Sequence, residues 1–118
     1  MGTRADFYIG RGSDAEWLGS VGRDGYKWDN PDSDLMKAED ADAFRAAVAA
    51  IQATRRDFTT PDEGWPWPWK DSRTTDYAYV LHDGKVTAYL FGCEVAADDF
   101  ECPKVGWFPD MSARKSVQ

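Results

Sequence analysis

Apolar and polar positions alternate along residues 4–9. Ala5, Phe7 and Ile9 fall on one side, and Arg4, Asp6 and Tyr8 on the other. A period of two is that of a strand with one buried face, so this stretch predicts a half-buried strand. Residues 10–14 read as a loop, and Glu16–Val21 as a second strand whose largest side chain is Trp17. Residues 22–34 carry turn chemistry at Arg23-Asp24-Gly25 and Asn30-Pro31-Asp32-Ser33.

The period then lengthens. Phe44, Ala47, Val48 and Ile51 recur at three- and four-residue spacing, the apolar stripe of a helix. Asp40 or a neighbouring acid caps it, and acids in its first turn suit the helix dipole. Arg55 and Arg56 suit the carboxyl end, with Pro61 beyond the stop. Ala46, Ala49, Ala50 and Ala53 lie opposite the stripe. They permit close approach of a second helix, but alanine is also simply the best helix former. A monomer or a weak homodimer is expected.

Asp83-Gly84 is the dipeptide of a two-residue type I′ turn, whose central residues both need positive φ. Pairing around it sets His82 opposite Lys85, Val80 opposite Thr87 and Ala78 opposite Tyr89. Tyr77, Tyr79, Leu81, Val86, Ala88 and Leu90 then share the face expected to meet the core, and His82 faces outward. Beyond residue 92 the pattern weakens. Residues 95–97 read as a turn or short strand, residues 105–108 as an aromatic segment that packs, and residues 112–118 as a polar tail. The element order ββαββ with short links predicts an α+β fold: an antiparallel sheet of about four strands, built from two hairpins and packed on one main helix.

The chain has 118 residues, which makes one domain, since a second would need roughly 100 more. Fourteen basic against 21 acidic residues leave a net charge of -7. That disfavours a nucleic-acid backbone, an anionic membrane surface or an acidic substrate as partner. The start of the chain has no signal-peptide or myristoylation pattern, and the apolar stretch at residues 41–53 is broken by Asp42, Arg45 and Gln52. No span of a bilayer is expected, the location is expected to be cytoplasmic, and Cys93 and Cys102 are expected as reduced thiols. Two cysteines and one histidine are too few for zinc. No cofactor or metal is expected.

Aromatic residues reach 14%, with six Trp. Half of these Trp fall in Gly64-Trp65-Pro66-Trp67-Pro68-Trp69, where each proline holds the residue before it extended. A polyproline helix would send the three indoles in three directions; a flat strand would send them one way. Such a segment reads either as a lid over the second face of the sheet or as a stiff recognition surface. Asp71-Ser72-Arg73-Thr74-Thr75-Asp76 follows it. This is either a hydrogen-bonded connector that fixes the Trp segment or the polar half of a pocket rimmed by aromatics. Three other features point to chemistry more weakly. His82 is the sole imidazole but flanks a turn. Gly10-Arg11-Gly12-Ser13 lacks the third glycine and the helix of a dinucleotide loop. Asn30, Asp32 and Asp34 imitate the start of a calcium loop, but Leu35 stands where glycine belongs.

Gly2-Thr3-Arg4-Ala5-Asp6-Phe7-Tyr8, Gly10-Arg11-Gly12, Glu16-Trp17-Leu18-Gly19-Ser20, the Trp segment and Asp71-Ser72-Arg73-Thr74-Thr75-Asp76-Tyr77-Ala78-Tyr79 together make the chain resemble a family of short bacterial and phage-borne proteins. The resemblance extends to about residue 92. It implies no activity, cofactor or site residue.

The expected function is a small non-catalytic binding or protein-interaction domain, with a protein or a small ligand as partner. Its candidate surface is Arg4, Asp6, Tyr8, Trp65, Trp67, Trp69, Asp71, Arg73 and Asp76. Two alternatives stand beside it. One is a small enzyme with a polar pocket around Asp71, Arg73 and Asp76, with Tyr77 alongside. The other is a phage-type inhibitor of a host defence protein, presenting carboxylates from residues 29–42 and 94–101.

Overall fold

The computed structural model describes residues 3–10, 15–69, 72, 75–90, 93, 94 and 111. The readings made above for residues 11–14, 95–97, 105–108 and 112–118 lie outside the described residues, as do Asp71, Arg73, Cys102 and the side chains of Leu90 and Cys93.

Strands β1 (Ala5–Ile9) and β2 (Glu16–Val21) form the first antiparallel hairpin. Strands β4 (Tyr77–His82) and β5 (Lys85–Leu90) form the second, in the predicted register from Tyr77–Leu90 to His82–Lys85. Asp83 and Gly84 turn it with φ of 52° and 74°, the paired positive values that a type I′ turn demands. Two-residue strands β3 (Phe58–Thr59) and β6 (Cys93–Glu94) extend the edges, so the sheet runs β3-β2-β1-β4-β5-β6.

The fold is α+β, but the sheet is mixed rather than antiparallel: β1 and β4 pair in parallel, Ala5 with Tyr77 through Ile9 with Leu81. The helix and its flanking loops lie between the two hairpins and supply the long crossover that a parallel pair requires. This pairing puts β1 in the middle of the sheet. Ala5, Asp6, Phe7 and Tyr8 are all fully buried, so β1 is not the half-buried strand its alternation suggested. A central strand flanked by parallel and antiparallel neighbours is covered on both faces.

Helix α2 (Ala41–Thr54) covers one face. Asp40 caps it, its Oδ1 accepting the Ala43 N–H at 2.8 Å. Phe44, Val48 and Ile51 pack with Ala5, Phe7, Val21, Tyr79, Leu81 and Val86, and Ala47 is half-buried beside them. Burying a phenylalanine such as Phe44 contributes about 2–3 kcal/mol. The residues between β2 and α2 are more regular than their turn chemistry suggested. Gly25–Trp28 is a 3₁₀ turn and α1 (Asp34–Lys37) a single helical turn capped by Ser33, whose Oγ accepts from Met36 N at 3.1 Å. Asn30 Oδ1 accepts the Asp32 N–H at 3.1 Å, so the calcium-like residues make a turn. Among the described residues no group of three or more His, Cys, Asp or Glu is placed to hold a metal ion. Among the same residues no helix is long and apolar enough to cross a membrane.

The opposite face is also a core. Tyr8, Ala15, Trp17, Trp65, Ala78, Val80, Tyr89 and Met111 form it. Trp17 reaches this layer through a β-bulge. Phe7 pairs with Gly19 but Tyr8 pairs with Trp17, leaving Leu18 as the extra residue. Without the bulge, Trp17 would share a face with Val21; with it, Trp17 shares a face with Ser20. Gly19 permits this, with φ of 142° and the Phe58 ring against it, where an added Cβ would lie 2.5 Å from two ring carbons and 2.8 Å from Thr59 O. Gly19→Ala is therefore expected to cost about 2–3 kcal/mol through overpacking and backbone strain. A urea-unfolding midpoint indistinguishable from that of the parent protein would refute this.

Candidate functional site

The Trp segment enters the second layer from a 3₁₀ turn at Pro61–Glu63, in which Glu63 Oε1 accepts from both Thr60 N and Thr60 Oγ at 2.9 Å. Trp65 is buried, edge-on to Trp17 with ring centroids 5.2 Å apart. Its Nε1–H donates to the carbonyl of Trp69 at 2.7 Å, which folds the segment back on itself. Trp67 and Trp69 are half-buried and stack on each other, centroids 5.6 Å apart and planes 18° apart. Trp67 donates to Asp6 Oδ1 at 2.7 Å and Trp69 to Thr75 Oγ at 2.8 Å. The segment is thus neither of the two regular forms expected of it. Trp65 serves as a lid, while Trp67 and Trp69 stand together at the surface.

Arg4 lies across this pair, its guanidinium carbon 5.5 Å from the centroid of each indole. The backbone N–H of Arg4 donates to Asp76 Oδ2 at 2.9 Å, and a guanidinium nitrogen lies 3.9 Å from the same oxygen. A flat cation on an indole face is attracted by the ring quadrupole, worth roughly 0.5–1 kcal/mol at an exposed position.

Asp6 lies beneath, fully buried. Ser20 Oγ donates to its Oδ1 at 2.5 Å, beside the Trp67 indole, and Ser72 Oγ donates to Oδ2 at 2.7 Å. Each serine spends its single proton on the carboxylate and accepts from an aromatic behind it. Trp17 Nε1–H donates to Ser20 Oγ at 3.0 Å, and the Tyr8 hydroxyl lies 2.6 Å from Ser72 Oγ. Two chains of donors therefore end on one acceptor-only group. Burial pushes the Asp6 carboxyl above the usual carboxylate range, and hydrogen bonds from Ser20, Thr75, Trp67 and Ser72 pull against that shift.

Of the residues expected at the site, Arg4, Asp6, Tyr8, Trp65, Trp67, Trp69 and Asp76 lie on one face of the sheet or at its rim. Tyr77 leaves the polar-pocket set: it stacks on Tyr79, centroids 5.8 Å apart, on the helix side. His82 sits at the far end of β4, its side chain 39% exposed and its Nε2 3.3 Å from Asp83 Oδ2. Ser20, Ser72 and Thr75 were missing from the expected set. The connector hydroxyls Ser72 and Thr75 were visible as candidates to fix the Trp segment. Ser20 carried no signal, because only the bulge brings it onto the face of Asp6.

Two further clusters brace the fold. Arg45 holds Glu16 through two hydrogen bonds, tying α2 to β2. Asp57 Oδ2 accepts from Gly22 N at 3.1 Å and Arg23 N at 2.8 Å. Its Oδ1 accepts from Arg55 Nε at 2.7 Å, and Arg55 is the main cause that holds the Asp57 carboxyl below its usual pKa.

No family model, curated protein or solved structure matches the chain.

Proposed function

We propose that this chain is a small non-catalytic binding domain whose recognition surface is Arg4, Trp67, Trp69 and Asp76. The observation that carries the reading is the pinned indole pair. Both indole N–H groups are spent inward, on Asp6 and Thr75, so the pair offers π surface rather than donors. Rings already held in place lose little entropy when something packs on them, which is how aromatic anchors gain affinity. Arg4 adds a guanidinium whose side chain is 45% exposed and whose only carboxylate neighbour among the described residues, Asp76, is 3.9 Å away. Among the described residues its guanidinium makes no hydrogen bond, which leaves its N–H groups to a carboxylate or carbonyl of a partner.

Arg4→Glu tests this cleanly. The strand contacts of Arg4 run through its backbone, so the variant should stay folded, losing only the roughly 1–2 kcal/mol of its side-chain contacts to the indoles and Asp76. Both proteins serve as bait in native lysate, with bound material read by mass spectrometry. A stoichiometric partner or retained small molecule on the parent, absent from Arg4→Glu, is the expected result. Equal recovery by both baits refutes the surface.

A further inference from the structure

We infer that the cleft between the Gly25–Trp28 turn, α1 and the carboxyl half of α2 is a second ligand site, for a small amphipathic anion: an apolar ring body carrying one carboxylate, sulfonate or phosphate. The cleft holds about 460 Å³, and a neighbouring basin of about 340 Å³ shares Thr54 and Arg55 with it. Both fall in the size range of small-molecule sites. The floor is apolar, made by Trp28, Leu35, Ala47, Ala50 and Ile51.

Charge is divided along this cleft. Lys27, Asp32 and Asp34 line the larger cleft, while Arg23, Arg55 and Arg56 gather at the neighbouring basin with Asp57, and Asp24 reaches Arg55 as well. In a chain of net charge -7 such a grouping of arginines is a local exception. Arg55 is locked in place: its carbon lies 5.8 Å from the Trp28 ring centroid, and one terminal nitrogen donates to Asp57 Oδ2, Arg23 O and Asp24 Oδ2 at 3.0, 3.2 and 3.3 Å. Its other terminal nitrogen, Nη1, makes no hydrogen bond among the described residues. Nor do the guanidinium groups of Arg23 and Arg56. Asp57 and Asp24 both bond Arg55, so three arginines against two acids leave the basin a surplus of one positive charge. An anionic head fits there, with its ring body along the Trp28–Ile51 floor. Asp32 and Asp34 fix the direction of binding by repelling the same head.

Anilinonaphthalene sulfonate is a probe of this chemistry, and N-phenylnaphthylamine is the same body without the charge. The full chain is titrated with each and followed by probe emission and by quenching of Trp fluorescence. The native protein is expected to take up one equivalent of the sulfonate saturably, at least about tenfold tighter than the neutral probe. Arg23→Glu/Arg56→Glu should weaken it by about tenfold or more. Ala50→Trp, which fills the floor from an exposed helix position, should abolish it. Lys85→Glu changes an equivalent charge in the distant hairpin and should leave binding intact. Native circular dichroism of each variant separates a lost site from a lost fold. No saturable binding, equal binding of the neutral probe, or binding unchanged in the double or filled variant would each overturn the assignment.

Discussion

Asp6→Ala is expected to destabilise the protein by about 4 kcal/mol, because it strands buried donors rather than merely deleting a contact. Ser20, Ser72 and the Trp67 indole all donate to that carboxylate; among the described residues Ser20 and the indole have no second acceptor, and Ser72 has only the Tyr8 hydroxyl. The residue also ties together three separate stretches of chain, β1, β2 and the Trp segment. Urea unfolding measures the loss, and Trp emission should shift to the red as the Trp67 indole is released to water. A loss below about 1 kcal/mol would show that the network is dispensable.

The pH dependence has a definite sign. The folded-state pKa of Asp6 is raised, so the folded chain binds this proton more tightly than the unfolded one. The contribution is fully present below the ordinary carboxyl pKa and is lost as pH rises through the folded value. Compared with Asp6→Asn, which does not titrate there, the parent should therefore gain relative stability on acidification from neutral pH. Asp57 and Glu16 act oppositely, since their arginine partners hold them below the usual range. Their contributions are lost as pH falls, and they cancel in that comparison.

Trp65→Ala is the second large effect, about 4 kcal/mol, the range for emptying a buried indole site. Trp65 is 1% exposed and packs against Trp17 inside the second layer. Its loss leaves a cavity under the segment and removes the hydrogen bond to Trp69 O that bends it. Trp69→Ala removes a half-buried ring and should cost only about 1–2 kcal/mol, while removing half of the proposed recognition surface. The contrast is the informative result. If the two variants lose equal stability, the division of the segment into one lid and two surface rings is wrong.

Much of the local structure was legible beforehand. The β4–β5 register followed from one dipeptide, because positive φ at two adjacent residues admits few side chains. The helix followed from the spacing of Phe44, Val48 and Ile51 and from the Asp40 cap. The Trp segment was legible as stiff and extended, but not as bent by its own indole. Proline restricts the backbone of a neighbour and says nothing about where its ring finds an acceptor.

The sequence by itself determined the turns, the helix and the two hairpins, since each depends on preferences expressed within a few residues. Tertiary structure alone decided that β1 runs parallel to β4, that a bulge turns Trp17 onto the face of Ser20, and that Asp6 is buried. Alternation marks which residues share a face, and it is the same whether that face meets water or a second layer. The polar face of β1 thus became the centre of the candidate site only when distant residues, Trp67 and Ser72, arrived to cover it and to satisfy its carboxylate.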